Sequence, residues 1–241
     1  MFVNNEIGTK QPVEKIGKIC KDRGIFFHVD AAQAVGKVSI DVKQLCVDAL
    51  SVSAHKLHGP KGIGALAVSM EMEGLIKEYP FKVGGGQERG LRSGTVPVPL
   101  AVGFGQAAQL AREHLQLHSA QKRCQELGQK LFHGIQQGHP TICLNGSHEK
   151  RIWSNVSVCI LDLDGGDLLQ RVLPQVSCSN SSACNGTFHG SHVLEAIGVD
   201  TVCNAVLRFG LTRMTTDADV GTAIASVLSA IRQACAHRKQ C

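Results

Sequence analysis

Lys56 is the first residue whose type and position suggest chemistry. Leu50 and Val52 alternate with small polar residues, as in a short buried strand, and the Gly59-Pro60 dipeptide then interrupts the chain. The pattern predicts Lys56 at the end of that strand, pressed between apolar residues and a tight turn. Desolvation there would lower the lysine pKa and favour the neutral amine, which can form a Schiff base with a carbonyl compound. For this stretch alone, a surface lysine in a loop is the commoner alternative.

A second predicted strand, over residues 26–33, delivers the carboxylate of Asp30. An aspartate after a strand more commonly caps a helix. Pyridoxal phosphate enzymes, however, need a carboxylate at the pyridine nitrogen and a lysine at the aldehyde carbon. Asp30 and Lys56 could supply that pair from two strand ends.

Residues 84–95 form a glycine-rich segment with two arginines and two hydroxyl residues, ending at Thr95. Glycine lets a backbone approach an anion closely, and arginine adds positive charge. The segment therefore predicts an anion-binding loop. A flexible surface loop is the commoner fate of such a composition.

Two cysteines, Cys178 and Cys184, lie in a polar segment rich in serine and asparagine, residues 177–186. A thiol in such a segment is expected to be accessible and reactive, whereas most free cysteines are small buried apolar residues. We interpret Cys184 as the candidate nucleophile. Cys178 is the competing candidate, interpreted as a residue at a strand end.

Arg208 is the single charge in the apolar run of residues 204–210, which predicts a strand. An arginine in such a run needs an anionic partner. The partner could be the carboxylate of a ligand or an internal acidic side chain.

These segments resemble one family. The runs HVDAAQAVGK (residues 28–37), SAHKLHGPKGIGAL (53–66) and GGGQERGLRSGT (84–95) are similar to motifs of class V aminotransferases, specifically cysteine desulfurases and the related selenocysteine lyases. The resemblance implies an α/β protein of the pyridoxal phosphate-dependent transferase fold type I. Residues 1–112 would form part of the large domain, with a mainly parallel sheet, and residues 113–241 a smaller α+β domain. We expect the chain to lack the family's N-terminal part, with its phosphate-binding loop and ring-stacking histidine.

The resemblance implies pyridoxal 5'-phosphate as cofactor. Lys56 would hold it, Asp30 would keep its ring nitrogen protonated, and Thr95 would reach the phosphate in the partner subunit of a homodimer. The cofactor-binding residues implied in this way are Asn5, Asp30, Gln33, Ser53, His55, Lys56 and Thr95. Ring contacts would come from Asn5 and Gln33, and phosphate contacts from Ser53 and His55. Taken singly, these four residues are more often turn, cap or loop residues.

The same resemblance implies L-cysteine as substrate. Arg208 and Asn5 would bind it, and Cys184 would accept its sulfur as a persulfide, releasing L-alanine. An acceptor protein would then take the sulfur for iron-sulfur cluster assembly or other sulfur transfer. The Cys184 context departs from the family's usual Ser-Gly-Ser-Ala-Cys, since Asn180 and Ser181 replace its leading serine and glycine. A selenocysteine lyase, and an inactive fragment acting as a binding or dimerisation partner, remain the alternatives.

Composition sets the remaining bounds. The 241 residues are 43% hydrophobic, enough for a sizeable core, with no apolar run long enough to span a bilayer. The net charge of +5 is dispersed, which argues against nucleic acid binding. Ten irregularly spaced cysteines without a signal peptide favour an intracellular, reducing compartment, either cytoplasmic or mitochondrial. We expect no metal site.

Periodicity also predicts the framework of the chain. Helical patterns begin at Gln11, at Leu100 after two prolines, at Gly166 and at Thr216. The second of these predicts one long helix, with a possible bend, reaching Leu131.

Overall fold

The computed structural model describes residues 1–78, 84–180 and 191–238, and these form two compact units. The first unit comprises Met1–Val3 and Gln11–His118, and the second comprises Asn4–Lys10 and the described part of Ser119–Cys241. The predicted boundary is a single one at residue 112. In the structure Asn4–Lys10 belongs with the second half of the chain.

The described residues of the first unit form a three-stranded sheet and three α-helices. Its elements in chain order are α1 (Val13–Asp22), β1 (His28–Asp30), β2 (Ala49–Ser53), β3 (Gly64–Val68), α2 (Met70–Glu78) and α3 (Val98–Gln116). The strand order is β1-β2-β3, with Val29 opposite Leu50 in a parallel pair and Leu50 opposite Ala67 in an antiparallel pair.

The predicted parallel pairing is confirmed for β1 and β2. The sheet of the described residues is nevertheless not mainly parallel, because β3 runs antiparallel to β2. Only residues 54–63 separate these two strands. So short a connection returns the chain directly, whereas a parallel neighbour needs a crossover of a dozen residues or more.

Two helix boundaries differ from the prediction. Helix α3 begins at Val98, two residues early, and includes Pro99 in its first turn, where the missing N–H of proline has no intrahelical partner to lose. The helix ends at Gln116 because Leu117 is extended, with φ −83° and ψ 90°. The predicted single long helix is therefore two helices.

The second unit is an α+β arrangement around an antiparallel sheet of order β4-β5-β6. Its elements are α4 (His118–Gly138), β4 (Ile142–Leu144), β5 (Asn155–Ile160), α5 (Gly165–Val172), α6 (His192–Ala196), β6 (Ala205–Gly210) and α7 (Asp217–Arg238). The strand predicted over residues 204–210 and the helices predicted from Gly166 and Thr216 are confirmed within two residues.

The two faces of this sheet differ in character. Val156, Val158 and Leu207 are fully buried in a core shared with α4, α5 and α7. The opposite face includes Arg208 and Val206, and Val206 packs against Ile7 of the Asn4–Lys10 segment. Asn4–Lys10 thus covers the polar face of the sheet.

Within the described residues, no helix combines the length and the apolar character that crossing a bilayer requires.

Candidate functional site

The first group of predicted site residues lies where β1 and β2 end. These strands are parallel, with Asp30 opposite Ser51, so their carboxyl ends meet at the same edge of the sheet. Ser53 is the last residue of β2, and a single 3₁₀ turn, Ala54–Leu57, follows it and contains Lys56. The carboxyl edge of parallel strands is where α/β proteins commonly bind ligands.

Lys56 is exposed, so the predicted burial of this side chain is wrong. Residues i and i+3 share one face of a 3₁₀ helix. Here Ala54 and Leu57 are those residues, and both are buried, with Leu57 packed against α3. The residues between them, His55 and Lys56, consequently point outward as an accessible pair.

The turn that presents Lys56 depends on small residues. A β-carbon at Gly59 would lie 3.0 Å from the carbonyl oxygen of Ala54 and 3.1 Å from Cβ of Ala107. At Gly64 it would lie 2.5 Å from the carbonyl oxygen of Val52. The glycines that mark the motif in sequence therefore let the chain return tightly behind the lysine.

The two carboxylate oxygens of Asp30 differ, since one accepts a backbone hydrogen bond and the other can still accept one from a ligand. Oδ1 accepts a hydrogen bond of 2.8 Å from the backbone N–H of Ala32, so the predicted capping alternative is partly realised as a turn. Oδ2 makes no hydrogen bond within the described parts of the chain. The side chain is exposed, which leaves this oxygen able to bind a cationic group.

The neighbouring predicted residues flank this edge. Gln33 is half-buried in the turn after β1, and its Oε1 accepts a weak hydrogen bond of 3.4 Å from Lys37 Nζ. Ser53 is half-buried, and its hydroxyl does not cap the 3₁₀ turn. The hydroxyl and the exposed His55 imidazole therefore lie on the same short segment as Lys56.

Thr95 lies in the first unit, in an exposed loop with internal hydrogen bonds. Gln87 Oε1 accepts 3.0 Å from the N–H of Gly94, and Arg92 Nη1 donates 3.3 Å to the Gly94 carbonyl oxygen. Gly94 has φ +94°, a conformation that side chains rarely adopt. Among the described residues of the first unit, Thr95 makes no hydrogen bond to another predicted site residue.

The second group lies in the second unit, where Arg208 and Asn5 are joined directly. Arg208 Nη1 donates 3.0 Å to the carbonyl oxygen of Asn5, and Arg208 Nε donates 3.1 Å to Ser179 Oγ. Both partners are neutral. Across the described residues Arg208 forms no ion pair, so the internal-carboxylate alternative finds no partner there.

Further residues of this group escaped the sequence analysis. Asn155 Nδ2 donates 2.9 Å to the same Asn5 carbonyl oxygen, and the Asn155 carbonyl accepts 2.8 Å from Arg151 Nη2. The Ser191 hydroxyl donates 2.5 Å to the buried Glu6 carboxylate. The Asn155–Asn5 and Ser191–Glu6 contacts join residues 150 and 185 positions apart, and no local motif marks them.

The two candidate thiols have different outcomes. Cys184 lies outside the described residues. Cys178 is half-buried against the core of the second unit, and burial raises its pKa to about 11. It directly precedes Ser179, which pairs with Arg208 as an isolated bridge, in keeping with its interpretation as a residue at a strand end.

Comparison with known proteins shows the family. Residues 1–222 match the family described as "Aminotransferase class-V". The chain belongs to this family. The class V members most similar in sequence include "Cysteine desulfurase IscS" of Ehrlichia chaffeensis, 42% identical over 234 residues, which are 97% of this chain and 56% of that protein. The "Cysteine desulfurase" of Mus musculus is 41% identical over 222 residues, which are 91% of this chain and 47% of that protein.

Solved structures of NifS-like proteins confirm the predicted fold. A NifS-like protein from Rickettsia africae has a TM-score of 0.81 at 26% identity, over 96% of this chain and 60% of that one. A second NifS-like protein has a TM-score of 0.83 at 32% identity, with the same coverage. The chain is therefore an α/β protein with part of the pyridoxal phosphate-dependent transferase fold. It spans about half the length of the curated relatives it matches.

Proposed function

We propose that this chain supplies two parts of a cysteine desulfurase site, the lysine that holds the cofactor and the arginine that binds the substrate carboxylate. The observation that carries the proposal is that an exposed carboxylate, Asp30, and an exposed amine, Lys56, stand at or just after the carboxyl ends of two paired parallel strands. The relatives at about 40% identity are described as cysteine desulfurases, which favours that activity over selenocysteine lysis.

The residues present fit pyridoxal phosphate. When bound, that group offers an aldehyde to an amine and a pyridinium ring that withdraws electrons from substrate. Lys56 is an accessible amine on a turn held by glycines, and Asp30 Oδ2 is available for a protonated ring nitrogen. Ser53 and His55 would supply polar contacts to the phosphate, and Gln33 and Asn5 would face the ring oxygen.

Arg208 is suited to a substrate carboxylate. Its two hydrogen bonds go to neutral acceptors, so its positive charge is not neutralised by a described residue. An arginine binds a carboxylate strongly through paired charge-assisted hydrogen bonds. Arg208 would orient L-cysteine so that its sulfur faces the nucleophilic thiol.

We assign the nucleophile to Cys184 rather than Cys178. A thiol with a pKa of about 11, as burial gives Cys178, holds its proton at neutral pH and is a poor nucleophile. The Cys184 thiolate would form the new sulfur–sulfur bond as the carbon–sulfur bond of cysteine breaks. The carbon takes up a proton to give L-alanine, and the sulfur stays as a persulfide for an acceptor protein.

A homodimer follows from the role proposed for Thr95, which would contact the cofactor phosphate of the partner subunit. We also propose a reducing compartment, because the thiol chemistry requires Cys184 to stay reduced. The relatives include bacterial and mitochondrial proteins.

The first test is the visible absorption spectrum of the purified chain with added pyridoxal phosphate. We expect a visible band that Lys56→Ala abolishes and that Lys61→Ala, a matched change of an exposed lysine five residues away, retains. A band that survives in Lys56→Ala would refute the role of this lysine. No band in any variant would refute cofactor capture by the chain alone and favour the inactive binding or dimerisation partner.

A turnover assay then separates the two activities. Equal or better use of L-cysteine than of L-selenocysteine supports a desulfurase. Strong preference for selenocysteine would identify a lyase.

A further inference from the structure

We infer that Ser179 is a positioning residue for Arg208, which it holds, together with the Asn5 carbonyl, in one orientation suited to a carboxylate. The inference rests on the proposed function, because it takes the ligand carboxylate of that function as its occupant. It adds a residue whose role neither the motifs nor the comparisons assign.

The guanidinium is fixed at two different nitrogens. Nε donates 3.1 Å to Ser179 Oγ, and Nη1 donates 3.0 Å to the carbonyl oxygen of Asn5. Two contacts at different atoms of a planar group determine the plane and its rotation. A guanidinium has five N–H donors, so both contacts together leave donors for a two-point interaction with a carboxylate.

Ser179 is itself held by the backbone of Arg208. The N–H of Ser179 donates 3.1 Å to the Arg208 carbonyl oxygen, and the N–H of Arg208 donates 2.6 Å to the Ser179 carbonyl oxygen. The two residues are thus directly opposed, as in an antiparallel pair, and their side chains stand on the same face. The hydroxyl has little freedom to leave the guanidinium.

The second acceptor is equally constrained. Asn155 Nδ2 donates 2.9 Å to the Asn5 carbonyl oxygen, so that oxygen accepts from two side chains. Asn155 is in turn bound through its own carbonyl to Arg151 Nη2 at 2.8 Å, and Arg151 is only 4% exposed. A buried group therefore anchors the acceptor to which Arg208 donates.

Removing the Ser179 hydroxyl leaves Nε of the half-buried Arg208 without its acceptor. The guanidinium can then rotate about its remaining contact, and part of its preorganisation is lost. One net hydrogen bond corresponds to a loss of carboxylate affinity of about 3- to 10-fold. Ser179→Thr keeps an oxygen at the same position and should retain the affinity.

The test uses the full chain and L-alanine as the probe, with L-alaninamide, which lacks the carboxylate, as the control ligand. Nitrogen-15 NMR measures the dissociation constant for L-alanine and the rate of hydrogen exchange of the Arg208 Nε–H. The signal of this group is the one that disappears in Arg208→Lys. We expect Ser179→Ala to weaken L-alanine about 3- to 10-fold and to speed Nε–H exchange. Ser179→Thr and Ser177→Ala, an exposed neighbouring serine, should behave as wild type.

The outcomes separate the inference from the proposed function. Loss of L-alanine binding in Arg208→Lys, with wild-type affinity in Ser179→Ala, would overturn the positioning role alone. Wild-type affinity in Arg208→Lys would overturn the substrate role of Arg208. If the wild-type chain binds no L-alanine, the proposed substrate role of Arg208 is refuted. Hydrogen exchange of the Arg208 Nε–H then tests the positioning role of Ser179, which stands only if this exchange is faster in Ser179→Ala.

Discussion

Replacing Arg151 by methionine is expected to destabilise the second unit strongly. Arg151 is 4% exposed, and its guanidinium donates to three carbonyl oxygens, those of Asn145 at 3.1 Å, Ser147 at 3.2 Å and Asn155 at 2.8 Å. It also stacks over the ring of Trp153 at 5.0 Å. Methionine fills similar volume but donates no hydrogen bond, so the three carbonyl groups lose their partner.

The magnitude follows from opposing contributions. Hydrogen bonds from a charged donor contribute about 1.5–3 kcal/mol each, and the cation–π contact adds about 1 kcal/mol. Against this, burial lowers the pKa of Arg151 to about 10, and that drop corresponds to a desolvation cost of about 3 kcal/mol. The difference leaves a loss of about 2.5–7 kcal/mol in the free energy of unfolding, an interval that includes the loss of about 3–5 kcal/mol typical of removing one partner of a buried charged contact.

Urea unfolding, monitored by tryptophan fluorescence, measures this loss. Trp153 is the only tryptophan of the chain and lies in the second unit, so its signal reports that unit. Lys150→Met, an exposed cation next in sequence, is the control and should change stability by less than about 0.5 kcal/mol. If Arg151→Met matches this control, the guanidinium contributes no net stability and the reasoning is wrong.

Three further predictions concern the same unit. Gly128→Ala places a β-carbon 2.3 Å from a backbone carbonyl oxygen and should lower the free energy of unfolding by about 1–3 kcal/mol. Gly221→Ala places a β-carbon with nothing within 4 Å and should raise it by about 0.5–1 kcal/mol. Thermal unfolding of the two variants and of wild type measures both changes. Burial raises the pKa of Cys178, so above about pH 9 the unfolded thiol ionises while the folded one keeps its proton. The free energy of unfolding should fall between pH 9 and 11, by at most about 2 kcal/mol because solvent screens the half-buried thiol. Cys178→Ala should show a smaller fall in urea titrations. Ser191→Ala removes a buried hydroxyl that donates to a carboxylate and caps α6. The free energy of unfolding, measured by chemical denaturation, should fall by about 1–3 kcal/mol. Wild-type stability of this variant would contradict the prediction.

Local patterns predicted most elements of the fold. The apolar run of residues 204–210 predicted β6, and glycine marks the turn after Lys56. The interruption at Leu117 has no such signal, because neither glycine nor proline lies near it. The antiparallel direction of β3 follows from loop length, which periodicity alone does not reveal.

The site was predictable only where its residues belong to compact motifs. Asp30 and Lys56 stand at strand ends as expected, but the exposure of Lys56 depends on the phase of a 3₁₀ turn. The two hydrogen bonds that hold the Arg208 side chain were not predictable. Its acceptors lie 29 and 203 residues away in sequence, and serine and asparagine are common in polar turns.

The membership of Asn4–Lys10 in the second unit has a consequence for synthesis on the ribosome. These residues are made before the strands they contact, since the carbonyl of Asn5 receives hydrogen bonds from Asn155 and Arg208, which are made 150 and 203 residues later. Contacts of such high sequence separation form slowly, because a long loop must close before they contribute. The Asn4–Lys10 segment therefore lacks these two hydrogen-bond partners until β6 has emerged, and the polar face of the second sheet is completed only then.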